Sequence, residues 1–312
     1  MSTSRTVSVV LPTHNRAHLL ERAVRSILAQ THRDLELIIV DDGSTDGTPQ
    51  LVAQFADARI RYIRNEKPSG PANARNTGIT SVGVSGYIGF LDDDDEWLPN
   101  KLERQLALFE SSPVPLAAVG CGLIGHEDDG SIVLMEPTFR GDVFEHLLAR
   151  RARGYAAPLI LVRRFPGKDD VLFDPDLPCL EDMDFSMRVA LRGAVDFVAD
   201  PLVTVYRNDG GPHVWNAEAA VIGYERLSRK WATELRQRPW VRSYYEVCMA
   251  RDLAKLGRME ECRDRLRHAV EGSSSRARVW LWYVASIIGS FGVRACARLL
   301  PIRPPEVIVS GT

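Results

Sequence analysis

Residues 89–102 read GFLDDDDEWLPNKL, and the four consecutive aspartates in this stretch restrict what the chain can be. The segment before them is apolar, as expected for a buried strand, and the segment from Pro99 onward reads as a helix. Carboxylates with ordinary pKa values of about 4 are charged at neutral pH and repel one another. The run therefore predicts a compensating cation, and a hard divalent ion such as Mg²⁺ or Mn²⁺ suits oxygen ligands. An acidic loop with Asp95 as the N-cap of the next helix is the structural alternative.

Strand and helix patterns alternate on the N-terminal side of this run. Apolar and β-branched runs predict four strands, and apolar residues at helical spacing predict three helices between them. Because this order builds parallel sheets with right-handed crossovers, we expect an α/β fold with a mostly parallel sheet flanked by helices. The predicted strands are 6–11, closed by Pro12, then 35–40, 60–64 and 87–91, and the predicted helices are 19–29, 48–55 and 72–79.

Polar residues follow the first, second and fourth predicted strands. In sheets of this kind, ligands bind beyond the carboxyl ends of the strands, so the three polar clusters are expected to share one edge. The clusters are residues 12–15 (PTHN), 41–42 (DD) and 92–95 (DDDD).

The sequence pattern changes near residue 214, where helical segments replace the alternation. This change predicts an α/β domain over residues 1–214 and a helical region over 215–312. Residues 253–270 read as two helices around a glycine turn, similar to a single tetratricopeptide hairpin. Residues 279–293 form an uncharged run, shorter than the roughly 20 residues needed to span a membrane. Two interpretations fit this run. It is either a buried final helix, with a helical surface for a homodimer, or an interfacial helix in peripheral contact with a membrane.

The bulk composition indicates a globular protein that does not bind nucleic acid. Hydrophobic residues make up 45% of the chain, charged residues 26%, and the net charge of −2 provides no broad basic surface. Five separated cysteines without a CxxC pair indicate free thiols in a reducing compartment. The first residues lack the apolar core of a signal peptide. We therefore expect a cytoplasmic protein, with peripheral attachment to the inner face of the membrane left open.

Four segments, in this order and spacing, resemble the N-terminal half of family 2 glycosyltransferases, which have the GT-A fold. They are VSVVLPTHNR (7–16), LELIIVDDGSTDGT (35–48), GPANARNTGI (70–79) and GFLDDDDEWLPNKL (89–102). A fifth, CLEDMDFSMRV (179–189), resembles the motif that supplies the catalytic base, and Tyr206-Arg207 followed by His213 resembles the closing loop. The resemblance covers about residues 5–214. It implies inverting transfer of a sugar from a nucleotide-diphosphate donor, most often a UDP-sugar, with Mn²⁺ or Mg²⁺.

The resemblance also implies roles for individual residues. It places the metal contact on Asp94, the general base on Asp182, and His213 near the metal or the diphosphate. An inverting displacement needs a base on the face opposite the leaving diphosphate. Glu181 and Asp184 are expected to cap the helix that follows. The residues implied in nucleotide-sugar binding are Pro12, Thr13, Asn15, Asp42, Arg75, Asp92 and Asp93.

Structural roles remain open for several of these residues. Thr13 and Asp182 also fit as helix caps, and Arg75 fits as a side chain packed on the sheet. Asp95 is expected to support the acidic run.

Other functions also remain open. A nucleotidyltransferase combines a parallel sheet with acidic metal ligands, but PTHNR (12–16) lacks the glycine-rich phosphate loop usual after its first strand. An inactive nucleotide-sugar-binding or scaffold protein is the non-enzymatic alternative. The acceptor is open among lipid-linked glycans, polysaccharides, peptides and small molecules.

Overall fold

The structure is a computed structural model that describes residues 5–164, 170–206, 216–272 and 276–287, with residues 289, 293 and 296. Strands and helices alternate through the first half of the chain, and helices follow the last strand. The strands are β1 (Val7–Thr13), β2 (Leu35–Asp41), β3 (Ile60–Arg64), β4 (Tyr87–Phe90), β5 (Glu96–Trp97), β6 (Leu116–His126), β7 (Ile132–Met135), β8 (Leu161–Arg163) and β9 (Ala194–Tyr206). The helices are α1 (Ala17–Leu28), α2 (Thr48–Val52), α3 (Pro71–Ser81), α4 (Lys101–Ser111), α5 (Phe144–Leu148), α6 (Glu181–Ala190), α7 (Ala217–Lys230), α8 (Ala232–Gln237), α9 (Pro239–Lys255), α10 (Met259–Gly272) and α11 (Arg276–Ile287).

The first seven elements confirm the predicted alternation of strands and helices. β1 pairs in parallel with β2 and β4, and β2 pairs in parallel with β3. The strand order across the sheet is β3-β2-β1-β4-β8-β6-β9-β5, with β7 paired to β6. The second half of the sheet differs from the first, because β8 runs antiparallel to both β4 and β6, while β6 and β9 are parallel. The sheet is therefore parallel where the sequence predicted strands and mixed beyond them.

β1 continues through Pro12 to Thr13, so the predicted end of this strand at Pro12 was wrong. The Val10 carbonyl accepts from Leu91 N–H on the β4 side, whereas the Thr13 carbonyl accepts from Asp42 N–H on the β2 side. Because the backbone groups of successive residues point to alternate sides of a strand, the backbone of Pro12 faces β4, as that of Val10 does. β4 pairs with β1 only as far as Val10. The missing N–H of Pro12 therefore costs no hydrogen bond of the sheet.

Helices α1 and α3 cover the parallel strands. The buried side chains of α1 recur at helical spacing, as the sequence predicted, and are Leu20, Ala23, Val24, Ser26 and Ile27. α3 approaches β1 closely at Gly78, where an added Cβ atom would lie 2.3 Å from Val10 Cγ1. This close approach fixes the position of the helix that carries Arg75.

The helical part of the chain has a hydrophobic cluster of its own. It includes Val221, Val247, Leu253, Leu266 and Trp282, which come from α7, α9, α10 and α11. α9 ends and α10 begins on either side of a glycine with a φ of +76° at residue 257, and the similarity of this pair to a tetratricopeptide hairpin stays a prediction.

The described residues form two compact units. One carries the sheet with α1–α4 and α6, and the other carries α7–α11 with residues 148–151 and 176–180. The predicted boundary at residue 214 lies outside the described residues and stays a prediction. Within the described ranges, no helix is both long and apolar enough to cross a membrane.

Candidate active site

The acidic run turns between β4 and β5, and its four side chains alternate in exposure. Asp93 and Asp95 are buried, whereas Asp92 and Asp94 are partly exposed. Asp95 does not cap the next helix, because β5 intervenes and Asn100 directly precedes α4. The alternation leaves Asp92 and Asp94 as the members of the run that a ligand can reach.

Asp93 is held by the end of β1 and the turn that follows it. Thr13 Oγ1 donates to Asp93 Oδ2 across 2.7 Å, and Arg16 Nη1 lies 3.2 Å from Asp93 Oδ1. Burial raises the pKa of Asp93 to about 6, against the opposing effects of Thr13 and Arg16. Thr13 thus lies in β1 and pairs with Asp93, and it does not cap α1, which begins after Arg16. Asp93 thus supports the run from within the protein, and its contact to the nucleotide stays a prediction.

Asp94 contacts arginines that the sequence interpretation did not single out. Arg16 Nη1 donates to Asp94 Oδ2 across 2.7 Å, and Arg22 donates to the Asp94 carbonyl oxygen. The Arg22 guanidinium also lies 3.8 Å from the centre of the Tyr206 ring. Burial and the neighbouring Asp92 raise the pKa of Asp94, against the lowering effect of Arg16. A basic residue in the first turn after β1 was the only sequence signal for Arg16.

The loops after β1 and β2 are tied together by side chains expected to bind the donor. Asn15 has a φ of +54°, and its Oδ1 accepts from Thr45 N–H across 2.7 Å. Its own N–H donates to Ser44 Oγ across 2.9 Å. Pro12 is buried within β1. Pro12 therefore supports the edge of the sheet from the buried interior, and the exposed Asn15 ties the two loops together at the surface.

The Asp42 carboxylate is saturated with hydrogen bonds from one loop. It accepts from Asn65 Nδ2 at 2.7 Å and from Ser69 Oγ, Ser69 N–H and Gly70 N–H, each at 2.8 Å. Burial alone would raise the pKa of Asp42, but these four hydrogen bonds outweigh it and lower the pKa. Asp42 is thus an ionised clamp for the loop that precedes α3.

Arg75 joins the acidic run to the motif expected to carry the base. Its Nη2 lies 2.5 Å from Asp92 Oδ1, its Nη1 lies 3.3 Å from Glu181 Oε1, and its guanidinium lies 5.2 Å from the Phe173 ring centre. Burial alone would lower the pKa of Arg75, but Asp92 and Glu181 raise it. The guanidinium, expected at the donor's nucleotide or diphosphate, is buried between two carboxylates.

Asp182 lies at the start of α6, next to the residue that contacts Arg75. The Asp182 side chain is partly exposed, and its Oδ1 accepts from Met183 N–H across 2.7 Å. In the first turn of α6, Glu181 contacts Arg75 and Asp184 pairs with Arg188 at 2.6 Å. Burial and the charge of Asp182 raise the pKa of Glu181. Asp182 is therefore a partly exposed carboxylate of this motif, next to Glu181, which Arg75 contacts. His213 lies outside the described residues.

The partly exposed carboxylates fit a divalent metal that the substrate also coordinates. Within the part of the chain that the structure describes, no three His, Cys, Asp or Glu side chains are grouped to hold a metal by themselves. Mg²⁺ and related ions commonly bind one or two carboxylates and complete their coordination with substrate phosphates and water. Asp92 and Asp94 match this pattern of donors.

Comparison with known proteins identifies the family. The profile described as Glycosyl transferase family 2 matches residues 8–159. The Escherichia coli (strain K12) protein named "Putative colanic acid biosynthesis glycosyl transferase WcaA" is 42% identical over 245 residues, covering 74% of this chain and 82% of WcaA. The chain therefore belongs to the family 2 glycosyltransferases, as its sequence motifs predicted.

A second relative carries a more specific name. WfgD of Escherichia coli, named UDP-Glc:alpha-D-GlcNAc-diphosphoundecaprenol beta-1,3-glucosyltransferase, is 40% identical over 102 residues. The match covers 33% of this chain and 40% of WfgD, so the chain spans less than half of that relative.

Solved structures match almost the whole chain at low sequence identity. S. aureus TarS 1–349 in complex with UDP-GlcNAc has a TM-score of 0.60 and 16% identity, and the match covers 98% of this chain and 95% of TarS 1–349. Mannosyltransferase PcManGT from Pyrobaculum calidifontis, in complex with GDP-Man and Mn²⁺, has a TM-score of 0.57 and 19% identity, with 94% and 86% covered. These likenesses establish the GT-A fold of the chain.

Proposed function

We propose that the protein is an inverting glycosyltransferase that uses a nucleotide-diphosphate sugar, with Asp182 as the general base. The observation that carries this proposal is the Arg75 bridge. One guanidinium contacts Asp92 of the acidic run at 2.5 Å and Glu181 at 3.3 Å, next to Asp182. The bridge brings a carboxylate suited to proton transfer close to carboxylates suited to a metal and a diphosphate.

The reaction follows from these positions. Asp182 accepts the proton of the acceptor hydroxyl while the oxygen of that hydroxyl attacks the anomeric carbon of the donor sugar. The bond from that carbon to the diphosphate breaks, and its electron pair leaves with the diphosphate oxygen. Asp92 and Asp94 would hold Mn²⁺ or Mg²⁺, which stabilises the negative charge of the leaving diphosphate.

We infer that the remaining site residues hold other side chains in position or shape the binding surface. Thr13 and Arg16 hold Asp93, and Arg75 orients Asp92 and Glu181. Loop contacts made by Asn15 and Asp42 shape the surface where the nucleotide is expected to bind. His213 stays a predicted contact to the metal or the diphosphate.

A UDP-sugar is the proposed donor, and a lipid-linked glycan is the proposed acceptor. The name of WfgD contains a UDP-glucose donor and a diphosphoundecaprenol-linked acceptor, and TarS is bound to UDP-GlcNAc in its complex. All five cysteines are free and buried, which supports a reducing compartment and so the cytoplasm.

An Asp182→Asn variant tests the proposed base. Replacing the carboxylate by an amide removes the proton acceptor with little change in volume, so we expect transfer to fall at least 100-fold, about the lower end for loss of a general base. The dissociation constant for UDP in the presence of Mn²⁺, measured by calorimetry, should stay within about threefold of the wild-type value, a difference below 1 kcal/mol. Donor turnover is measured with a panel of nucleotide sugars.

Two further variants complete the test. Asp94→Asn should weaken Mn²⁺-dependent UDP binding, and Asp34→Asn, which changes an exposed carboxylate near Thr6, should behave as wild type. If both Asp182→Asn and Asp94→Asn retain the turnover of the wild-type protein, the proposed roles are refuted. UDP-sugar binding without any turnover in wild type would instead support the inactive binding protein.

A further inference from the structure

Helix α11 presents apolar side chains on two opposite faces. Trp282 and Ser286 are buried, and Trp282 belongs to the hydrophobic cluster of the helical unit. On the other side, the apolar side chains are between 50% and 65% exposed. At about 100° per residue these exposed positions fall within an arc of roughly 120°, so they share one face. We call them the α11 apolar face, which consists of Trp280, Leu281, Val284 and Ile287.

The sequence around this face is strongly basic. Residues 272–305 contain five arginines and neither aspartate nor glutamate, although the whole chain has a net charge of −2. The arginines are Arg276, Arg278, Arg294, Arg298 and Arg303. Positive charge flanking an exposed apolar helix face complements an anionic lipid surface.

The length and composition of α11 favour a helix that lies along a membrane surface. Its 12 residues span about 18 Å at 1.5 Å per residue, well below the hydrocarbon thickness of roughly 30 Å. Trp280 is an amphipathic aromatic residue of the kind enriched at the interface between lipid and water. The buried Trp282 anchors the opposite side of the helix in the protein.

We propose that the α11 apolar face docks this protein on an anionic lipid bilayer. A second copy of the chain is the other candidate for covering the face, but a symmetric contact would bring two copies of the same arginine-rich segment together. Repulsion between like charges at close range opposes that arrangement, whereas anionic lipid headgroups attract the arginines. The proposal stands apart from the proposed reaction, because it concerns a surface that needs neither donor nor metal.

Co-sedimentation of the full chain with vesicles tests the proposal. Vesicles of phosphatidylcholine and phosphatidylglycerol (1:1) are compared with vesicles of phosphatidylcholine alone, without nucleotide or metal. We expect binding to the anionic vesicles that weakens in high salt. Leu281→Ser combined with Val284→Ser should reduce the partition coefficient at least tenfold, since two apolar side chains no longer enter the lipid.

Matched variants separate this result from other causes. Leu191→Ser changes an equally exposed leucine outside α11, at 60% exposure, and should leave vesicle binding unchanged. Asp182→Asn should also bind vesicles as wild type does, so failure of the proposed reaction would not affect this measurement. Circular dichroism and thermal unfolding check that the α11 variant keeps its helices.

Three outcomes would overturn the proposal. The first is equal binding to both vesicle types, or binding to neither. A second is full vesicle binding by the Leu281→Ser, Val284→Ser variant. The third is a concentration-dependent dimer in analytical ultracentrifugation that the same variant abolishes, which would assign the face to a second copy.

Discussion

Arg16 is the residue whose contacts most affect the proposed chemistry. A single nitrogen of its guanidinium contacts both Asp93 and Asp94, at 3.2 and 2.7 Å. Hydrogen bonds to charged groups contribute about 1.5–3 kcal/mol each, so a cation that binds Asp94 competes with a favourable interaction within the protein. We therefore expect Arg16 to lower the affinity of Asp94 for a metal ion that binds before the donor.

We predict that Arg16→Gln increases the affinity for Mn²⁺ in the absence of nucleotide by roughly tenfold, equivalent to about 1.4 kcal/mol. The substitution removes the competing positive charge and leaves both carboxylates in place. Titration followed by the electron paramagnetic resonance signal of free Mn²⁺ measures this affinity directly.

Arg25→Gln is the matched control for this measurement. Arg25 lies on α1, the helix that begins after Arg16, is exposed and pairs with Glu21, so its loss should leave Mn²⁺ binding unchanged. Equal Mn²⁺ binding by Arg16→Gln would refute this competition, and weaker binding would show that Arg16 supports the metal site.

At the scale of single residues, the sequence predicted which residues lie near one another at the edge of the sheet, but it did not predict what each side chain contacts. Thr13, Arg75, Asp92 and Asp182 came from motifs, and the structure places them at one end of the parallel strands. Contacts depend on side-chain direction and burial, which a motif does not encode. The clearest case is Arg75, whose burial between two carboxylates follows from the placement of α3 and α6.

At the scale of elements, the packing of α3 on β1 determines where Arg75 lies. Gly78 faces the strand, and a Cβ atom there would lie 2.3 Å from Val10 Cγ1 and 2.9 Å from Val10 Cγ2. Since both Val10 and α3 are part of the buried core, neither side can move without disturbing its neighbours.

We predict that Gly78→Ala lowers the free energy of unfolding by about 1–3 kcal/mol, the usual cost of overpacking. Alanine favours helix formation over glycine by about 1 kcal/mol, which offsets only part of this cost. Urea denaturation followed by circular dichroism measures the change. Gly83→Ala provides the control, because its Cβ atom would have no neighbour within 4 Å. Unchanged stability in Gly78→Ala would mean that α3 shifts freely on the strand.

The sequence predicted the elements of the parallel half, whereas β5 and β8 of the mixed half were missed for a physical reason. β1 to β4 are apolar runs bounded by turn residues, with helices of clear spacing between them. β5 has two residues and β8 has three, and both pair with strands distant in the chain. Strands this short carry no periodicity, so their pairing is set by the tertiary structure.

At the scale of the whole molecule, two hydrophobic clusters among the described residues share no member. One surrounds the sheet and includes Leu20 of α1, and the other includes Leu266 of α10. Both leucines are fully buried. Separate cores predict that damage to one unit can leave the other folded.

We predict that Leu266→Ala destabilises the helical unit by about 2–5 kcal/mol, the usual cost of such a cavity, and preserves the donor site. Calorimetric unfolding should show two transitions, one of which moves to lower temperature in this variant. UDP with Mn²⁺ should raise the midpoint of the other transition, because a ligand stabilises only the unit that binds it.

Leu20→Ala removes the same number of atoms from the core around the sheet and should give the opposite pattern. The transition that UDP and Mn²⁺ shift should then be the one that moves to lower temperature, and UDP binding should weaken as that unit unfolds. A single transition that both variants lower equally would contradict two separate cores. In that case the helices would be required for the folding of the sheet, and the donor site would depend on the whole chain.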